Sequence, residues 1–140
     1  MAKRSRLPLF RGNGRNGVAV PDPGSKILIV EHILYLGGAG RSTPFTSTTE
    51  SREIAQHFAG GRGRVWRTDP ETATSQGALH VPKDQLLRDL RGFGRGRAKW
   101  TSAWEVAHAR ALVERSREHL LDWSRVPKAS IAERVRGAFR

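Results

Sequence analysis

No cysteine occurs in the chain, so disulfide bridges, a thiolate nucleophile and a cysteine-ligated zinc are all excluded. The five histidines are scattered without the paired spacing that ligands on one element need, and no metal is expected. Long apolar runs are missing too. Nothing approaches the roughly eighteen residues required to cross a bilayer, and the arginine-rich start lacks the apolar segment of a secretory signal, so no membrane partner is expected. Acidic residues are scarce, 13 against 25 lysines and arginines, and only Lys3, Lys26, Lys83, Lys99 and Lys128 are lysines. The net charge of +12 is therefore carried by arginine. Its planar fork grips phosphates and carboxylates through two hydrogen bonds at once. Anionic partners such as RNA, a dinucleotide or an acidic inhibitor fit that bias, and a plain solvated basic surface is the alternative.

What is present suits one α+β domain. The 140 residues are 37% hydrophobic and 27% charged, enough to bury a single core. Residues 1–6 form a basic lead-in, and the domain is expected over residues 7–140. Leu7 to Arg11 predicts a strand ending at Gly12, with a loop from Gly12 to Gly17. Ser25 predicts a cap for a helix over Lys26–Leu36, stopped by Gly37–Gly40, although a buried strand fits part of it. Pro44–Thr48 reads as a strand, and Ser47-Thr48-Thr49-Glu50 as a capping box for a helix over Ser51–Ala59. Further strands are expected at Arg64–Thr68 and Gly77–Val81. Pro82 opens a helix through Leu90, and a longer helix runs from about Thr101 to Arg115, with Trp104, Ala107 and Ala111 on one stripe and Glu105 displaced to its periphery. Glu118–Trp123 predicts a strand, and Ile131–Phe139 a last strand or helix.

Four segments in this order resemble the ADP-ribosyltransferase toxin superfamily of the Arg-Ser-Glu type. Phe10-Arg11-Gly12 resembles its strand-end arginine. Phe45-Thr46-Ser47-Thr48-Thr49 resembles its aromatic-x-Ser-Thr-Ser strand, and Ala55-Gln56-His57-Phe58-Ala59 the Ala-x-x-Phe helix that follows. Glu118-His119-Leu120-Leu121, leading to Val126-Pro127 and Ile131, resembles its late glutamate strand. Two positions depart from the pattern: Thr49 replaces the last serine, and Ser116 stands two before Glu118, where many members carry Glu or Gln. The resemblance implies an ADP-ribosyltransferase-like split β-sandwich with an NAD cleft and flanking helices. It implies NAD as donor, no metal and a macromolecular acceptor; the cationic charge adds that this acceptor is anionic, RNA or a protein. It also implies action in the cytoplasm of a target cell after delivery, with a neutralising immunity protein or antitoxin as partner.

The chemistry explains these residue types. Arg11 would neutralise the NAD diphosphate with its fork of donors. Breaking the ribose–nicotinamide bond builds positive charge on the ribose, as in glycoside hydrolysis, and the Glu118 carboxylate would oppose it while Ser47 orients that carboxylate. The resemblance implies catalysis by Glu118, Ser47 and Arg11, and NAD binding by Arg11, Gly12, Ser47, Thr48 and Phe58, the last as a wall for nicotinamide. Taken singly, each has a plainer reading: a surface arginine, a capping serine, a core phenylalanine, a solvated strand-edge glutamate. The Gly-Arg loops at residues 12–17, 60–63 and 92–96 match no phosphate-binding pattern. Trp66, Trp100, Trp104 and Trp123, set among arginines, fit a nucleic-acid surface, though at least two are expected in the core. Two rival functions remain: an NAD glycohydrolase with water as acceptor, and a non-catalytic basic nucleic-acid-binding domain.

Overall fold

The computed structural model describes residues 7–34 and 42–140; the lead-in and the expected end of the first helix at Tyr35 and Leu36 lie outside them. Five strands, β1 (Leu9–Asn13), β2 (Phe45–Thr49), β3 (Arg64–Thr68), β4 (Leu79–Val81) and β5 (Glu118–Asp122), form one open antiparallel sheet in the order β3-β1-β2-β5-β4. Six helices accompany them among the described residues: α1 (Ile29–Leu34), α2 (Arg52–Ala59), α3 (Pro70–Ser75), α4 (Lys83–Asp89), α5 (Ala103–Ser116) and α6 (Ile131–Ala138). The α+β expectation is met.

The sheet is not evenly knit. β1 pairs with β3 at five positions and β2 with β5 at five, but β1 meets β2 only at Phe10↔Thr49. The two ribbons therefore part at the middle of the sheet. Cores fill both sides. Ile29, Val30, Phe45, Leu86, Val106 and Leu120 belong to the one built by α1, α4 and α5; Ala73, Leu121, Trp123, Ile131 and Val135 belong to the one built by α3 and α6. β5 is buried along its whole length because it contributes to both. The chain end strengthens the outer edge of β3, where Arg140 exchanges two backbone hydrogen bonds with Arg67.

Several local expectations are corrected. β1 continues through Gly12 to Asn13, into the expected loop. α1 begins at Ile29 rather than Lys26: Leu28 donates its amide to the Glu31 carboxylate at 3.2 Å and starts the helix, while the Ser25 hydroxyl donates to the Ser42 carbonyl. The cap of α2 is Ser51, which accepts from the Ile54 amide, whereas Ser47 lies in mid-strand and caps nothing. α3 was not expected, although Asp69 caps it through the Thr72 amide and Pro70 takes its first turn. The last element is a helix, since Ile131, Val135 and Ala138 repeat at helical spacing on its buried side. In α5 the buried stripe is Val106, Ala109 and Val113, and the stripe of Trp104, Ala107 and Ala111 faces water. Of the tryptophans, Trp123 is fully buried and bonds Thr46 Oγ1 at 3.0 Å; Trp66 and Trp100 pack against the cores, and Trp104 is exposed.

Gly12 is where β1 and α2 touch. A Cβ there would run into the Ala55 carbonyl oxygen and the Ala59 amide of α2, both backbone atoms that cannot swing aside. Gly12→Ala is expected to force α2 off the sheet, destabilising by about 3 kcal/mol and lowering Tm by about 10 °C. Thermal melting checks this, and an unchanged Tm would show that α2 is free to shift.

Candidate active site

Where β1 and β2 part, a cavity of ≈ 370 Å³ opens. Phe10, Arg11 and Gly12 wall it from β1, Ser47, Thr48, Thr49 and Glu118 from the sheet centre, and Phe58 from α2. Ile33 and Leu34 of α1, with Leu112 and Ser116 of α5, close the other side. All the residues assigned to the site from sequence thus meet at one cavity, drawn from the chain's beginning, middle and end.

Glu118 is reached through a sharp local turn. Arg117 ends α5 in the left-handed region, φ 49° and ψ 51°, a conformation that glycine or asparagine usually takes. The chain there turns straight from helix into β5, and the Glu50 amide locks it by donating to the Arg117 carbonyl at 3.2 Å. Register then sets Glu118 opposite Thr49 and Ser47 opposite Leu120, so Ser47 and Glu118 are diagonal neighbours on one face. The Ser47 hydroxyl donates to Glu118 Oε2 at 2.8 Å.

That hydroxyl has one proton, so the nitrogen on its other side must be the donor. His32 Nε2 lies 2.8 Å from Ser47 Oγ and His32 Nδ1 lies 2.8 Å from Thr43 Oγ1. The network therefore assigns the Nε2–H tautomer, with Nδ1 accepting from the Thr43 hydroxyl, which itself accepts the Phe45 amide at 3.1 Å. Every donor in this line points toward Glu118. His32 stays neutral, because burial and then the charge of Arg11 push its pKa down to about 3.

Arg11 completes the cluster. Its Nε donates to Asn13 Oδ1 at 2.8 Å and its Nη1 to the Ser47 carbonyl at 3.1 Å. Three of its five N–H donors have no partner among the described residues, the arrangement a fork needs to receive an anion. Burial lowers its pKa while the Glu118 charge raises it. Glu118 is itself buried, not the solvated edge residue of the plainer reading; burial raises its pKa to about 7 against the opposing pull of the Ser47 bond and the Arg11 charge.

The other assigned residues divide. Gly12 is required by α2 packing. Thr48 lies at the wall, but its hydroxyl donates to the His119 carbonyl at 3.0 Å and so serves the sheet. Phe58 is 68% exposed at the cavity mouth, a ring free to meet a ligand. Ser116 also lines the cavity, with its carbonyl accepting the Thr49 hydroxyl at 2.6 Å. Glu105 sits in the first turn of α5 and does not line it. Sequence reasoning missed His32 and Asn13. His32 could have been noticed as the one ring nitrogen pair inside the apolar run Ile27–Leu34, and Asn13 as the polar residue two places beyond Arg11 on its strand. No metal-binding group of three or more ligands occurs among the described residues. Neither a protein-family model, nor a curated protein, nor a solved structure matches the chain.

The raised carboxyl has a consequence for stability. A folded pKa of about 7 against an ordinary 4.5 means that the native state holds the proton more tightly, so stability from this group is full below pH 4.5 and is lost as pH rises through 7. The loss is on the order of 3 kcal/mol. His32 acts in the opposite sense, since its depressed pKa gives stability above pH 6.5 that is lost as pH falls. Comparing variants separates the two: Glu118→Gln is expected to melt near the wild type at pH 5 and several degrees above it at pH 8. A Tm difference independent of pH would contradict the buried, raised carboxyl.

Proposed function

We propose that the chain is an NAD-dependent mono-ADP-ribosyltransferase toxin, transferring ADP-ribose to a macromolecular acceptor, and that the parted sheet serves as the split β-sandwich of that superfamily. One observation carries this reading: Arg11, Ser47 and Glu118 converge on a single cavity, with Ser47 bonded to both others. Arg11 would hold the donor's diphosphate with its unpartnered N–H groups. Phe58 and the apolar side chains of α1 would cover the nicotinamide.

In the reaction the ribose C1′–N bond breaks with its electron pair going to nicotinamide, and an acceptor lone pair forms the new bond at C1′. The acceptor's proton leaves to solvent. Between these events C1′ is electron-poor, and the fixed Glu118 carboxylate stabilises it. Preorganisation is the task of the Phe45–Thr43–His32–Ser47 line, which holds that carboxylate by donation and spares it from rotating. Ser116, two before Glu118, offers neither carboxylate nor amide to engage a protein acceptor; this speaks against an arginine side chain as the target and leaves nucleic acid, or water in a glycohydrolase, as acceptor.

Glu118→Gln is expected to lower NAD turnover by roughly 10²–10³-fold in a folded protein, while Glu105→Gln retains wild-type turnover. Because only the ionised carboxyl is useful, kcat/KM for NAD should rise through about pH 7 and then level off. Turnover measured for both variants from pH 5.5 to 9, set as roughly the span around that pKa, decides it: an active Glu118→Gln enzyme would remove Glu118 from the chemistry.

Arg11→Lys replaces a fork by a point charge. NAD affinity should fall about tenfold or more, measured by calorimetry on the Glu118→Gln background so that donor is not consumed. Unchanged affinity would assign the diphosphate to another cation.

A further inference from the structure

Two large aromatic side chains stand in water on one side of the fold. Trp104 is 86% exposed and Phe93 61% exposed, although such rings normally bury most of their area. They are close in the fold: the Phe93 carbonyl accepts the Trp100 amide at 2.7 Å, and Trp104 follows four residues later in the first turn of α5. Cations adjoin them in the chain. Arg91, Arg95 and Lys99 are exposed on the loop joining α4 to α5, and no carboxylate among the described residues pairs with them. Arg97 on the same loop differs, being bonded to the buried Asp122 and set over the Phe45 ring. The fold thus employs one of these four cations and leaves three to solvent.

From Trp104 the outer stripe of α5 continues through Ala107, His108, Ala111 and Arg115, all exposed. Exposed Glu114 flanks it, three residues beyond Ala111, and is paired with Arg110 at 3.1 Å, while the alanines keep the stripe low. It leads toward Leu112 and Ser116, which wall the cavity, and Leu112 is about 12 Å from Trp104 along the helix axis.

We infer that this face, the 91–99 loop with the outer stripe of α5, docks single-stranded nucleic acid and leads the strand to the cavity as acceptor. The second half rests on the proposed transferase reading; the docking does not. Flat rings stack on bases of any sequence while cations beside them neutralise the backbone. A duplex keeps its base faces covered and offers these rings nothing. A protein partner would want an apolar centre poor in charge, and here the two rings stand on a segment with Arg91, Arg95 and Lys99 exposed.

The test is fluorescence anisotropy with a labelled single-stranded RNA and its duplex, without NAD, over about 50–200 mM salt. The single strand should bind more tightly, with a log–log salt slope of about −3 for four phosphate contacts. Phe93→Ala and Trp104→Ala should each weaken binding about tenfold, with wild-type melting and wild-type hydrolysis of NAD in the absence of RNA. Equal affinity of both variants, preference for duplex, or competition by poly-glutamate as strong as by unlabelled RNA would overturn the docking surface. Loss of NAD turnover in the wild type beside intact RNA docking would strike the transferase reading alone. NAD turnover with docked RNA left unmodified would overturn the delivery of the strand to the cavity.

Discussion

A carboxyl group at the centre of a sheet, out of contact with water, must be protonated, paired or tightly hydrogen-bonded. Glu118 meets this condition through one bond from the Ser47 hydroxyl and the nearby charge of Arg11, and much else in the molecule follows from it. Ser47 must be held by β2 at a fixed register with β5. His32 must be neutral and of one tautomer. α1 must pack on β2 closely enough to deliver that ring. The helix that precedes Glu118 must end abruptly, which it does in the left-handed turn at Arg117. A residue strained at such a place is usual where surrounding structure fixes a functional group.

The opposite face of the same strand carries a second polar line. His119 donates Nε2–H to Glu50 at 2.6 Å, and its Nδ1 lies 2.8 Å from His80 Nε2, so the two rings and the carboxylate form one line. Burial alone would raise the Glu50 carboxyl; the His119 bond and the charges of His119, Lys83 and Arg117 outweigh it and hold the carboxyl below its ordinary value. Burial and the neighbouring His119 lower His80 to about 4. Alternation along β5 therefore places hydrogen-bonded groups on both sides of one peptide unit, fixing the backbone that carries Glu118.

Arg11, Ser47 and Glu118 were singled out by the resemblance of their segments to the Arg-Ser-Glu pattern, and they fall on short strands rich in β-formers, whose period leaves little freedom in direction. The strands β2, β3 and β5 were legible from that composition and period. His32 was not, because its role depends on how α1 crosses the sheet, a tertiary fact that no local pattern contains. Helix starts were misplaced where a hydroxyl had two options: Ser25 and Ser47 both looked like caps, and each makes a longer-range bond instead. Which stripe of α5 faces the core was not legible, since Trp104, Ala107 and Ala111 are as periodic as Val106, Ala109 and Val113, and the structure buries the latter.

The sheet order gives the molecule a temporal character as well. Arg11 belongs to the first strand and Glu118 to the last long one, and both are joined through Ser47 from the middle of the chain. Contacts of such wide sequence separation form late, after the entropy of closing long loops has been overcome. A chain still emerging from synthesis holds Arg11 and Glu118 apart and has no assembled cavity. The cavity takes shape only when the segments that carry Arg11 and Glu118 have found each other.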